Sequence, residues 1–244
     1  MADVENITLG RGDLYFKPTG ASGYEFIGNT PEFNVSISTE TLKHYNSGRG
    51  VRTQDREVPV QVDYSGGFMT DNITPANLAN YFQGDTGVVA VGASTGETQN
   101  FANVKKQGRY FLADRNVTNV VVEVGVATKT AGTDYEVDLV RGMITVLDGG
   151  TIANGATIEV TYDVTAHSYS RTRSGANVIE GSIMFMAYNP EGENIDYLLE
   201  SVKLTPNGDF QIKADEWQQL PFNVLIAKPA GGYAIVANGE PFTP

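Results

Sequence analysis

Residues 32–39 read E-F-N-V-S-I-S-T, and residues 58–64 read V-P-V-Q-V-D-Y. Phe33, Val35 and Ile37 share one face of the first stretch; Val58, Val60, Val62 and Tyr64 share one face of the second. A two-residue period marks strands with one side buried and the other wet. Between them lies K-H-Y-N-S-G-R-G-V-R-T-Q-D-R-E, residues 43–57, which reads as a long polar loop. Hairpin loops usually run roughly 2–5 residues, and longer ones tend to be functional or disordered. Lys43, Arg49, Arg52 and Arg56 stand against Asp55 and Glu57, so the loop is net +2 on a chain of net charge −12. The expectation is a basic arm on an acidic body, carrying both signs and able to order against a like copy.

The 244 residues, 41% of them hydrophobic, suffice for a substantial core: a chain of this size buries roughly 70–75% of its unfolded surface. Its 27 Gly, 12 Tyr and 11 Phe favour strands and turns over helices. There is no cysteine, which excludes disulfides, thiolate nucleophiles and Cys-based zinc sites. No apolar run approaches the ~18–20 residues of a membrane helix. The opening M-A-D-V-E-N-I-T lacks the basic start and apolar stretch of a secretion signal. The expectation is a soluble protein folded in the cytoplasm that made it. Its acidity argues against a free-standing nucleic-acid binder, which needs cations to displace counterions. Beside nucleic acid, such a surface repels phosphates.

Along the chain, residues 1–85 open with short strands at 13–16 and 24–27. After the strand, loop and strand comes T-P-A-N-L-A-N-Y-F. Thr74 suits an N-cap, Pro75 the first turn, and Gly84 a left-handed end. Leu78, Tyr81 and Phe82 fall on one helical face. In residues 86–166, short alternating runs, such as Ile158, Val160, Tyr162 and Val164, are separated by turn clusters. That spacing predicts a small all-β sandwich. Residues 167–244 return to longer strands at 177–187, 197–205 and 220–227. A further strand at 209–214 is expected to form a hairpin with 197–205 across Pro206-Asn207-Gly208. The fold class expected is all-β with minor α: a β-sandwich or barrel from residues 1–85 plus 167–244, one short flanking helix, and a β-sandwich inserted at 86–166.

Catalytic chemistry is sparse. The two histidines, His44 and His167, lie far apart in sequence, and no phosphate-cradling glycine motif occurs. The expectation is a protein that is not an enzyme and uses no cofactor and no metal. Arg11-Gly12-Asp13 reads as a turn before a strand. The sequons at Asn6, Asn34, Asn72 and Asn116 read as chance in a chain without a secretion signal. Trp217 and Tyr233 read as core or interface aromatics.

Taken together, the strand–loop–strand unit, the capped helix, and the later set I-E-G-S-I-M-F-M-A-Y-N, L-L-E-S-V-K-L-T-P-N-G-D-F-Q-I-K and W-Q-Q-L-P-F-N-V-L-I-A resemble the major tail tube proteins of long, non-contractile-tailed bacteriophages. The insert, with D-Y-E-V-D, G-M-I-T-V and G-A-T-I-E-V-T-Y-D, resembles the immunoglobulin-like decorations some tail proteins carry. The resemblance implies a structural virion protein, made and assembled in the host cytoplasm. Six copies would close a ring, and rings would stack into the conduit for DNA ejection. The implied partners are the chain itself, a tape measure protein, a tail terminator and distal tail or baseplate proteins. DNA would pass without specific contact, and no membrane is involved. Lys43, Arg49, Arg52, Asp55, Arg56 and Glu57 would form the inter-subunit or inter-ring loop. Asn34, Ser36, Gln61, Asp63, Glu180 and Ser182 would face the lumen, and residues 86–166 the exterior. The alternative is a β-sandwich module that binds a cell surface or a carbohydrate.

Overall fold

The computed structural model describes residues 7–48 and 50–238. The protein is all-β, with one short helix among the described residues, and it divides into two compact units: residues 1–86 with 172–244, and residues 87–171. The chain opens with β1 (Gly12–Pro18), β2 (Glu25–Gly28), β3 (Glu32–Asn46), β4 (Thr53–Thr70) and α1 (Pro75–Tyr81). There follow β5 (Asp85–Val91), β6 (Ser94–Phe101), β7 (Arg109–Phe111), β8 (Val117–Val124), β9 (Ala127–Thr128), β10 (Tyr135–Asp138), β11 (Met143–Val146) and β12 (Ile158–Val164). The last elements are β13 (His167–Arg173), β14 (Ile179–Ala187), β15 (Asp196–Pro206), β16 (Leu220–Ala227) and β17 (Val236–Asn238).

In the first unit, one antiparallel sheet runs β2-β1-β14-β15-β16-β4-β3, with β17 also on β15. Alternation gathers Leu14, Phe16, Phe68, Ile183, Leu199, Leu204, Leu220, Phe222 and Val224 into one buried cluster. Helix α1 packs onto it, with the Tyr81 ring edge-on to Phe222 at 5.7 Å. Thr74 caps the helix by accepting from Asn77 N at 3.2 Å. The expected apolar face is only partly buried: Phe82 is exposed, and Asn77 is buried instead. Asn77 Nδ2 donates to Ile27 O (2.7 Å) and Asn72 O (2.8 Å), tying the helix to the end of β2.

The left-handed residue after the helix is Gln83, with φ of 51°, not Gly84. Gly84 is needed for space: a Cβ there would fall 1.6 Å from Arg173 O.

Residues 209–214 are not a strand. β15 and β16 are joined by a loop, residues 207–219. The helix draws this segment away from a hairpin. Tyr81 Oη donates to Gly208 O at 2.7 Å, and Phe210 lies 6.0 Å from the Tyr81 ring and 6.1 Å from Phe82.

The second boundary lies at 171/172, five residues beyond the expected 166/167, and falls within β13. In residues 87–171, a four-stranded sheet (β6-β12-β8-β9) and a three-stranded sheet (β10-β11-β7) share one core. Ile144, Val146, Ile158, Val160 and Val122 are fully buried there. Tyr162 Oη donates to Asp114 at 3.0 Å, and burial first, then that carboxylate, push its pKa up to about 12.

Asp134 is buried and organises the turns of this unit. It accepts from Thr130 N (2.8 Å), Thr151 N (2.6 Å) and Thr151 Oγ1 (2.9 Å). These bonds, Thr130 N first, hold its carboxyl below the ordinary carboxylate range. A lowered pKa stabilises the fold above the unfolded value, and the contribution is lost as pH falls through the folded one. Asp134→Ala is therefore expected to lower the melting temperature of this unit at pH 7 and to blunt its sensitivity to acid. Calorimetry of the full chain at pH 7 and pH 3 checks this; a variant melting like the parent at both pH values contradicts it.

Candidate assembly surface

The stretch expected to be a long loop is mostly strand. β3 and β4 stay paired out to Asn46↔Thr53. Lys43, Asp55, Arg56 and Glu57 thus sit on a β-ribbon, and Arg52 in its turn; Arg49 lies outside the described residues. Thr, Val, Gln and Tyr spaced between the charges sustain pairing that a charge count alone does not reveal.

The ribbon leaves the sheet early. β16 pairs with β4 only from Thr70 to Tyr64. Beyond that, residues 53–63 pair with residues 38–46 alone. Nine residues at ~3.3 Å each project about 30 Å. An isolated two-stranded ribbon is marginal in water.

Two bulges shape it. The register jumps from Glu40↔Gln61 to Thr41↔Pro59, and from His44↔Arg56 to Tyr45↔Gln54, leaving Val60 and Asp55 as extra residues in β4. Each extra residue switches which face the later side chains take. Phe33, Val35 and Ile37 on β3, with Val62 and Tyr64 on β4, lie on the core side of the sheet. Past the Val60 bulge, Leu42 and Val58 pair on the opposite side. Val58 therefore does not share a face with Val62, contrary to the simple alternation. Ile37 is 64% exposed and Leu42 68%, so both faces of the ribbon carry uncovered apolar side chains.

At the tip, the Arg52 guanidinium lies 5.4 Å from the Tyr45 ring centre. Bulged Asp55 sits 2.5 Å from His44 Nδ1, and Gln54 Nε2 donates to Glu57 at 2.9 Å. Hydrogen bonds from Thr41 and then Gln54, with the nearby Lys43 charge, hold the Glu57 carboxyl below its ordinary range. Among the described residues the ion pairs are His44–Asp55 and Asp138–Arg141. Arg52 and Arg56 form none.

Asn34, Ser36, Gln61, Asp63, Glu180 and Ser182 all fall on the face of the sheet opposite the core, judged by register and alternation. Gln61 donates to Asp63 at 2.7 Å, Asn34 to Glu32 at 3.1 Å, and Ser182 Oγ shares a hydrogen bond with Tyr24 Oη at 2.9 Å. The same face carries Asp13, Glu32 and Glu40 with Lys17 and Lys203, so carboxylates outnumber lysines. The sheet is open, with β2 and β3 as its edges. An open cleft of about 880 Å³ between Arg11, Asn29, Phe33, Phe185 and Tyr197 adjoins the root of β3.

Trp217 and Tyr233 are both exposed, not core. The sequence reading missed the Ile212–Trp217 loop, because D-F-Q-I-K alternates like a strand. It also missed the change of face along the ribbon. The mismatch lies in the pairing: from Ile37↔Tyr64 to Leu42↔Val58, β3 takes five steps and β4 six, so the extra residue falls in β4.

Among curated proteins, no match to the chain was found. A family model matches residues 7–227, and the chain belongs to that family, described as Protein of unknown function UCP028589.

Proposed function

We propose that this chain is the subunit of a self-assembling tube of the long, non-contractile phage-tail kind. Six copies close a ring, rings stack, and DNA leaves through the lumen. The observation that carries this reading is the projecting ribbon, with Ile37 and Val62 uncovered on one face and Leu42 and Val58 on the other. Burying each such side chain is worth about 1.5–3 kcal/mol. A ribbon needing cover on both faces, rooted in a sheet with two free edges, is suited to several copies at once. Joining edge to edge around a ring removes the open edges that otherwise invite uncontrolled pairing.

In this arrangement the polar face holding Asn34, Ser36, Gln61, Asp63, Glu180 and Ser182 lines the lumen, where its excess of carboxylates keeps DNA from adhering. Residues 87–171 decorate the exterior. A tape measure protein sets length inside, while terminator and distal proteins close the ends. Assembly and not catalysis is the activity.

Electron microscopy of the purified chain, alone and with its initiating partners, tests this. Rings or tubes of constant diameter are expected. Solitary particles that bind glycans would overturn the reading in favour of a carbohydrate-binding module.

A further inference from the structure

The loop 207–219 is built to hold two apolar side chains in water. Gln218 Nε2 donates to Gln211 O (3.1 Å) and Ile212 O (3.0 Å), closing the loop on itself. Its base is fixed on α1 by the Tyr81–Gly208 bond and the Phe210 ring. The clamp presents Ile212, 78% exposed, and Trp217, 92% exposed. Trp217 stands between two small clefts, of about 320 and 110 Å³, that Asp71, Asp209 and Glu216 also line; Asp71 Oδ2 accepts from Asn29 Nδ2 at 2.5 Å and keeps its other oxygen for a second donor. An exposed tryptophan ringed by carboxylates suits an arginine with an apolar neighbour: the indole face attracts the guanidinium, and the acids match its charge.

The ribbon tip supplies that combination. Val51 is 83% exposed beside Arg52, and the tip is basic where the loop is acidic: Asp209, Asp215 and Glu216 against Lys213. The two features lie at opposite ends of one strand. β4 begins next to the tip at Thr53 and ends at Thr70, where Met69 and Asp71 line the Trp217 clefts. Its 18 residues give a contour of about 55 Å at ~3.3 Å per residue. The two surfaces of one molecule are thus placed to meet those of other copies head to tail, and a head-to-tail contact that does not close on itself repeats indefinitely.

We propose that the loop 207–219 is the socket for the ribbon tip of a second copy, with Trp217 and Ile212 receiving Val51 and Asp71, Asp209 and Glu216 receiving Arg52. The socket rests on the tube reading and names the partner surface of the arm. It also accounts for a tryptophan left in water, 92% exposed, on a loop tied down at its base.

Two properties of the chain make the test direct: Trp217 is its only tryptophan, and it has no cysteine. Trp217 fluorescence is expected to be that of a hydrated indole in dilute protein. On assembly it should shift to the blue and lose acrylamide quenching by about threefold or more. In mixtures of V51C and I212C chains, oxidation should give disulfide-linked pairs across the two variants. V51C mixed with V126C, fully exposed on the other unit, should give background only. Trp217→Ala should raise the protein concentration needed for tubes by about 30-fold, the scale of an interface hot spot. Tubes that form while Trp217 stays hydrated and V51C–I212C linking stays at background would overturn the socket and leave the tube reading intact. A chain that never associates would overturn both.

Discussion

Replacing Ile37 and Val62 together by aspartate is expected to leave the first unit folded and to stop assembly. Val62 lies on the ribbon and Ile37 at its root, both outside the buried cluster, 48% and 64% exposed. Substitutions at such positions change monomer stability by little, usually within about 0.5 kcal/mol. Between copies the balance reverses. Each position loses about 1.5–3 kcal/mol of apolar burial, and each carboxylate taken out of water without a partner adds several kcal/mol more. The summed effect on a subunit contact is on the order of 10⁴-fold or greater. Circular dichroism should show an unchanged melt, while light scattering and microscopy show no polymer. Tubes of normal length from the double variant would mean that the ribbon's apolar face is not an interface.

Excising residues 87–171 is the second large perturbation, and the expected outcome is tolerance. The chain leaves and re-enters the first unit at one place: Thr172 Oγ1 lies 3.4 Å from Thr86 Oγ1. Asn177 N donates to Gln83 O at 2.8 Å, and Asn177 Nδ2 to Gly84 O at 3.0 Å. A linker of a few residues therefore spans the cut without strain. The two cores share no residue, so the cluster around Leu14, Ile183 and Leu220 keeps its packing. Calorimetry should show the loss of the transition that carries the Asp134 acid dependence and retention of the other. Tubes should still form, thinner at their outer surface. A truncated chain that folds but does not polymerise would make residues 87–171 part of the wall.

The fold was legible where local chemistry decides it. Alternation along 220–227 and 158–164 becomes β16 and β12, and Thr74 with Pro75 opens the helix as their chemistry requires. What was not legible depends on contacts distant in sequence. Asn77 reads as a polar helix residue until Ile27 O, 50 positions away, becomes its acceptor. The alternation at 209–214 is overridden by Tyr81 and Phe82, which capture Phe210 from more than 120 residues away. Gly84 answers to two things: its N–H closes the helix end on Ala79 O at 2.9 Å, and its missing side chain leaves room for the Arg173 carbonyl.

The surface was partly legible. The polar residues of the sheet were assigned to one face together, since a period of two fixes their side. The arm's charges were recognised, but their setting was read as coil, because charge density suggests a loop whereas cross-strand pairing is decided by register. The bulge at Val60, which turns Val58 to the side of Leu42, and the one at Asp55 nearer the tip follow from the length mismatch between the two strands. They become visible only when the strands are aligned.

Hydrogen exchange along residues 38–46, in free and assembled protein, tests the central claim most directly. These residues form the distal, outermost part of edge strand β3, paired on one side by β4. In the free chain their amides should exchange far faster than those of β14 to β16; in the assembly, amides on the open edge and those under the covered apolar faces should slow by orders of magnitude. Equal, rapid exchange across 38–46 in both states would mean that other copies do not complete this ribbon.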